Sequence, residues 1–343
     1  MATIYDVARE ADVSTATVSR VLNGSYSVTE EKKQRVMEAI EKVGYQIPNK
    51  SKLNQTAGLP PRSDVKNGSG GIILVICSEF IFNLLHQIQT TAAELGYSVV
   101  VTHYESTDEF EHLRSVFAKI QDSISGVMLI NNCDSTPAFQ ELVNEYPIVQ
   151  IGVPVLVGAP NIVVYNDEVK MSHDATDYLL KQGRRRIGIL TAEPTERCEL
   201  FYKRRRLNGY YLALMNAGIP VDKDLIEYVD VTIEGGYEGA SNLVKRNPDL
   251  DAILCITDVI AHGAVFALRN ANKCPSDILI FSLDSSEIWD YVHKSFPYID
   301  PHHEEMGATA VQLMNGIING SITKDCNLVI PHTLCVGPSE RLS

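Results

Sequence analysis

The chain has 343 residues, 45% of them apolar and 21% charged, and a formal net charge of −13. That is the profile of a globular protein long enough to hold more than one domain. No run of about 18 apolar residues is present, which excludes a membrane-spanning helix. Asp6, Glu10 and Asp12 break up the basic-then-apolar layout of a secretory leader, so the chain is expected in the cytoplasm.

The acidity argues against a nucleic-acid partner only if it is evenly spread, and it is not. Residues 1–55 hold eight Lys/Arg against seven Asp/Glu, a balance of +1, leaving −14 for the remainder. A local face can therefore still meet DNA, with weak non-specific binding that falls quickly with salt. The seven cysteines, at 77, 133, 198, 255, 274, 326 and 335, show no CxxC spacing. They read as buried free thiols rather than as disulfides or a zinc site.

In chain order, Thr3 with Asp6 forms a capping pair, and Val7, Ala8 and Ala11 recur at helical spacing. Asp12-Val13 makes a turn. Ser14 caps a second helix whose Val18, Val21 and Leu22 point inward. A third helix runs from Thr29 with Val36, Met37, Ile40 and Val43 as its stripe, and Gly44 ends it. Three helices in some 45 residues make a helix-turn-helix unit, or else a small protein-interaction module. The second helix exposes Thr15, Ala16, Thr17 and Arg20. Arg20 can fork to guanine O6 and N7, and Ala16 with the threonine methyls suits thymine methyls. Ser14, Ser19 and Asn23 suit phosphate oxygens.

These residues carry a resemblance. Thr3-Ile4-Tyr5-Asp6-Val7-Ala8, Val13-Ser14 and Thr17-Val18-Ser19-Arg20-Val21-Leu22-Asn23-Gly24, continued by Val28 and Gly44-Tyr45, resemble the headpiece of the lactose/galactose-repressor (LacI/GalR) family of transcriptional regulators. The resemblance implies that Thr15, Ala16 and Arg20 read bases, while Thr17, Ser19 and Asn23 support the DNA contact.

Residues 47–70 are polar and rich in Gly, Ser, Pro and Asn, the composition of a linker. The family places here a hinge helix whose leucine wedges into the minor groove. Its usual Ala-Arg-x-Leu pattern is absent. Leu53, after Lys50 and Lys52, is the hinge candidate, because Pro60-Pro61 stops any helix at Leu59. A plain tether is the alternative.

From Gly71 strands and helices alternate. Strands are predicted at 72–77, 97–102, 126–130, 147–151, 186–191, 226–229, 252–256 and 278–282. Helices are predicted at 84–95, 109–120, 172–182, 207–217, 236–245 and 260–271. Such repetition implies parallel sheets covered by helices. The family match continues through Asp167, Gly183, Arg186-Ile187-Gly188, Arg206-Leu207-Asn208-Gly209-Tyr210, Asp258, Asp284 and Glu305-Met306-Gly307. It implies an α/β periplasmic-binding-protein-like core at 71–343. Lobe one takes about 71–164 and 300–325; lobe two takes about 165–299 and 326–343. A headpiece at 1–46 precedes it.

By the same match Arg206 and Asp284 grip an effector between the lobes, with Thr257, Asp258 and Phe80 beside them. A guanidinium and a carboxylate facing one cleft can hold opposite edges of a hydroxylated ligand. Arg206 could instead belong to a solvated basic run at 203–206, and Asp284 could cap a helix near Ser285. Gly152-Val153, Thr257 and Pro301 stand where the family often carries polar groups, so the pocket should have lost hydrogen-bonding capacity. Phe80, Phe82, Phe201, Tyr202 and Trp289 are either core or stacking surfaces for a sugar ring.

His302-His303-Glu304-Glu305 lacks metal-ligand spacing and reads as a surface loop. Neither a phosphate loop nor a GxSxG nucleophile motif occurs, so no catalysis, metal or cofactor is expected. The expected protein is a cytoplasmic homodimeric repressor. It would bind a pseudo-palindromic double-stranded operator under control of a sugar or sugar derivative. A solute-binding protein or an α/β enzyme are the rivals from other classes.

Overall fold

The strand Ile72–Cys77 (β1) has five of its six residues buried, and its side chains divide by parity. Ile73, Val75 and Cys77 enter one apolar cluster; Leu74 and Ile76 enter another on the opposite face. A strand covered on both faces needs helices on both sides, and the chain supplies them. The computed structural model describes residues 7, 9–11, 13, 30–43, 71–104, 107–131, 136–152, 160–193, 202–274, 276–285 and 296–336. It divides into two units, Met1–Val65 and Lys66–Ser343.

In the first unit, helix α1 (Glu30–Val43) buries Val36, Ala39 and Ile40 against Val7 and Ala11. Arg35 donates to the carbonyl of Ala11 at 2.6 Å, and Lys42 pairs with Glu10. The helix expected from Thr29 to Gly44 is present within a residue at each end.

In the second unit, β1 pairs in parallel with β2 (Ser98–His103) and β3 (Ile124–Ile130). The sheet continues through β4 (Ile148–Ile151) and β5 (Ile162–Tyr165). Helix α2 (Phe82–Glu94) covers one face; α3 (Phe110–Ile120) and α4 (Pro137–Val143) cover the other. Thr136 caps α4 by accepting from the Phe139 amide.

The second sheet begins after helix α5 (Glu168–Lys181), which Asp167 caps by accepting from the Lys170 amide at 3.1 Å. It comprises β6 (Ile187–Thr191), β7 (Ile226–Tyr228), β8 (Ala252–Cys255), β9 (Leu279–Ser282) and β10 (Tyr298–Asp300). Helices α6 (Tyr202–Asn216), α7 (Ile233–Arg246) and α8 (Asp258–Asn270) also belong to this lobe.

The chain then returns to lobe one through α9 (His303–Ile318) and β11 (Cys326–Val329), and ends in lobe two with β12 (Thr333–Cys335). The sheet orders are β11-β5-β4-β3-β1-β2 and β12-β10-β9-β8-β6-β7. Among the described residues only the β10–β12 pairing is antiparallel.

This return corrects two expectations. Residues 326–329 belong to lobe one, because β11 pairs with β5 along four residues; an edge strand that short carries no sequence pattern of its own. His302–Glu305 is not a surface loop. His302 takes a left-handed φ of 56°, and His303 begins α9, whose Met306, Ala310, Val311 and Met314 join the apolar cluster under β3, β4 and β5.

The thiols also divide more finely than expected. Cys77 and Cys255 are buried and free; Cys326 and Cys335 are half-buried, and Cys274 is exposed. Cys133 and Cys198 lie outside the described residues.

Three segments cross between the lobes: 166–167, 301–302 and 330–332. Asn166 joins all three. Its buried amide nitrogen donates to the carbonyls of Pro301 at 3.0 Å and Ile330 at 2.9 Å. Unbonded, those carbonyls would be costly to bury.

Candidate functional site

Arg206 lies in the second turn of α6 and is only 4% exposed. It therefore does not belong to a solvated basic face. A buried guanidinium needs partners for its charge and its donors, and the fold brings them from three elements. Nε donates to Glu168 Oε2, on the first turn of α5, at 2.6 Å. Nη1 donates to the carbonyl of Ile256, just past β8, and lies 3.9 Å from Asp284 Oδ2, just past β9.

Local sequence explains the approach. Gly209, one turn after Arg206, faces α5 so closely that a Cβ there would stand 2.3 Å from the carbonyl oxygen of Val169. The missing side chain lets the two helices close until Arg206 reaches Glu168. Tyr210, fully buried, fixes α6 to the sheet by donating to the Ile187 carbonyl at 2.8 Å.

Asp284 is set by the turn after β9. Ser282 Oγ donates to its carbonyl at 2.7 Å, and its own Oδ1 accepts from the Ser285 amide at 2.8 Å. Burial pushes its carboxyl up to about 8, and the charges of Asp258 and Glu168 push the same way; Arg206 and the Ser285 amide pull against them. His303 arrives at the head of α9, with Nδ1 4.0 Å from Asp284 Oδ1. Burial drives its imidazole down to about 4, and the Arg206 charge adds to this, so it is neutral at pH 7. Thr257 caps α8 by accepting from the Ile260 amide, and Asp258 Oδ1 accepts from the Val259 amide at 2.9 Å.

On the lobe-one side, Phe80 follows β1 and is 64% exposed, stacked on His103 with ring centres 5.9 Å apart. His103 lies 3.2 Å from the Ser78 carbonyl and 3.4 Å from Glu109. Glu79 reaches across the lobes to Lys203 at 3.9 Å. The carboxyl ends of the parallel strands, where open α/β sheets bind ligands, thus carry donors and acceptors in lobe two and an aromatic face in lobe one. Among the described residues no group of three or more His, Cys, Asp or Glu side chains could hold a metal ion.

Comparison with known proteins agrees with this architecture. Residues 77–336 match the model for periplasmic binding proteins and the sugar-binding domain of the LacI family, and residues 3–49 match that for bacterial regulatory proteins of the LacI family. The chain belongs to the LacI family. It is 31% identical to the HTH-type transcriptional repressor CytR of Escherichia coli (strain K12), over 96% of this chain and 95% of that protein. It is 29% identical to the HTH-type transcriptional regulator DegA of Bacillus subtilis (strain 168), over 97% and 96%. The solved complex of the transcriptional regulator CelR with cellobiose superposes with a TM-score of 0.70 at 26% identity, covering 99% of this chain and 100% of that one. This LacI-family chain is a DNA-binding transcriptional regulator with a helix-turn-helix headpiece and a two-lobed α/β core.

Of the predicted effector residues, the structure brings Arg206, Asp258 and Asp284 together, with Thr257 at the adjoining helix start. Phe80 stands on the facing lobe. The exposed Phe82 stacks on His86 along α2. Phe201, Trp289 and the Tyr202 side chain lie outside the described residues, as do the DNA-side positions Thr15, Ala16, Thr17, Ser19, Arg20, Asn23 and Leu53. Sequence reasoning missed Glu168 and His303. The signal for Glu168 was its place directly after the Asp167 cap. His303 was hidden by reading its segment as a loop.

Proposed function

We propose that this LacI-family regulator is a homodimeric repressor that occupies a pseudo-palindromic operator. Its effector, a sugar or sugar derivative, is held between the lobes. Arg206, Asp284, Thr257, Asp258 and Phe80 are the effector residues. In the headpiece, Thr15, Ala16 and Arg20 read bases, Thr17, Ser19 and Asn23 hold the backbone, and Leu53 is the minor-groove wedge. The protein is read as cytoplasmic and without catalysis; no helix among the described residues is long and apolar enough to cross a membrane.

The observation that carries the reading is the Arg206–Glu168–Asp284 cluster of lobe two, met by His303 at the head of a lobe-one helix. A ligand bound there touches both lobes, so its binding energy can favour one lobe arrangement over another. The homodimer is supported by apolar side chains left exposed on both lobes, among them Phe82, Tyr228, Ile233 and Phe266.

Operator fragments selected from random DNA by the full chain should be two-fold symmetric and should be released by a small molecule. Arg206→Ala should bind the same DNA and lose that release. An Arg206→Ala protein that still responds fully overturns the effector assignment.

A further inference from the structure

The interlobe cluster places one guanidinium among several carboxylates. Glu168 Oε2 lies 2.6 Å from Arg206 Nε, and Asp284 Oδ2 lies 3.9 Å from its Nη1. Asp258 is near enough to act on Asp284, and Asp300 is near enough to act on His303. His303, the imidazole in this cluster, is neutral near pH 7. Lys203, at the start of α6, faces Glu79.

An anionic ligand would need the guanidinium for its own charge. Glu168 already holds that group in a short charge-assisted hydrogen bond. Displacing it would leave a largely buried carboxylate without its counter-charge, with further carboxylates facing the newcomer. A hydroxyl group meets none of these costs. It can accept from Arg206 and donate to a carboxylate without changing the local charge. That Asp284 is itself held partly uncharged by burial and by its acidic neighbours reports the same field.

We infer that the cleft takes an uncharged or cationic polyhydroxylated effector, a free sugar or amino sugar, and rejects sugar phosphates and sugar acids, with Glu168 as the residue that sets this selectivity. Glu168 acts as a positioning residue: it orients Arg206 and occupies the edge of the guanidinium that an anion would otherwise use. The inference rests on the effector role proposed above for the interlobe cluster.

The test titrates the full chain by calorimetry with inorganic phosphate and with glucose 6-phosphate. Wild type should show no binding that depends on Arg206. Glu168→Gln removes the internal counter-charge and should tighten phosphate at least tenfold, and Glu168→Gln with Arg206→Ala should lose that gain. Glu168→Ala, which withdraws the same counter-charge, should move affinity in the same direction and serves if Glu168→Gln does not fold.

Binding of either anion by wild type that disappears in Arg206→Ala overturns the inference, as does a failure of both variants to tighten phosphate. The two readings fail separately. Operator release that survives Arg206→Ala removes the effector role itself. Release by a sugar phosphate that is lost in Arg206→Ala removes only the selectivity.

Discussion

Asp284 and His303 are two ionisable groups whose environments push them in opposite senses, and the pH dependence separates them. Asp284, raised to about 8 when folded, binds its proton more tightly in the native state than in the unfolded chain. It therefore withdraws stability as pH rises between its ordinary value near 4 and about 8. His303, lowered to about 4, does the reverse between 4 and its ordinary 6.5, where the unfolded chain holds more protons and stability rises with pH. Above pH 6.5 the Asp284 effect stands without the opposing His303 effect. Asp284→Asn keeps the shape of the neutral carboxyl and cannot ionise. Its stability relative to wild type should thus grow from pH 6.5 to 8, by at most about 1.4 kcal/mol per unit. Thermal unfolding of both proteins across that range checks this; a constant difference would mean that Asp284 is not held neutral by the cluster.

At the scale of elements, the site depends on how closely α6 lies on α5. Gly209 is the point of contact, with room for no Cβ between it and the Val169 carbonyl and the Ser172 side chain. Alanine would improve helix propensity by about 1 kcal/mol. The clash is with backbone, so the helices must separate, at a cost of about 1–3 kcal/mol. Gly209→Ala is expected to lower stability in urea and to weaken effector response by moving Arg206 away from Glu168; equal or higher stability would dismiss the close approach. The same pair of helices shows what the sequence could and could not reveal. Their apolar stripes are legible, yet both begin earlier than predicted, at 168 and 202 rather than 172 and 207. The first turn of α5 follows a cap and carries charge, and that of α6 is a basic run, instead of apolar periodicity, and Glu168 and Arg206 sit in or next to those turns. Buried-strand runs such as 72–77 were read to the residue, because a strand covered on both faces is continuously apolar. Strands this short establish no period by themselves: β4, β7, β8 and β9 were legible because each follows a helix of the alternation, whereas β5, β10, β11 and β12 follow no predicted helix and escaped. Arg206 and Asp284 came from the family resemblance, and their mutual geometry was not in the spacing: 78 positions separate them, and only the sheet order places α6 and the end of β9 together.

For the whole molecule, charge and exposed apolar surface argue together. The core holds nearly all the acidity, with a balance of −14 beyond residue 55, so a single headpiece with a balance of +1 has little electrostatic hold on DNA. The proposed dimer would remedy this, because its second headpiece meets its half-site at a high effective concentration. The surface offers a way to pair. The crossover from β11 to β12 joins one edge of each sheet and leaves β2 and β7 as the opposite edges. Val101 on β2 and Tyr228 on β7 are exposed there. Phe82 on α2, Ile233 on α7 and Phe266 on α8 add apolar groups on the neighbouring helices. A self-complementary face built from both lobes would also make subunit pairing sensitive to how the lobes are arranged. Replacing Phe82 and Phe266 together with Glu places like charges across such a two-fold contact, while both positions are too exposed for the change to disturb the core. The double variant should sediment as a monomer and keep its fold. It should also keep its ligand affinity and lose operator affinity by about 100-fold or more. A dimer of unchanged strength would show that these aromatics serve some other contact.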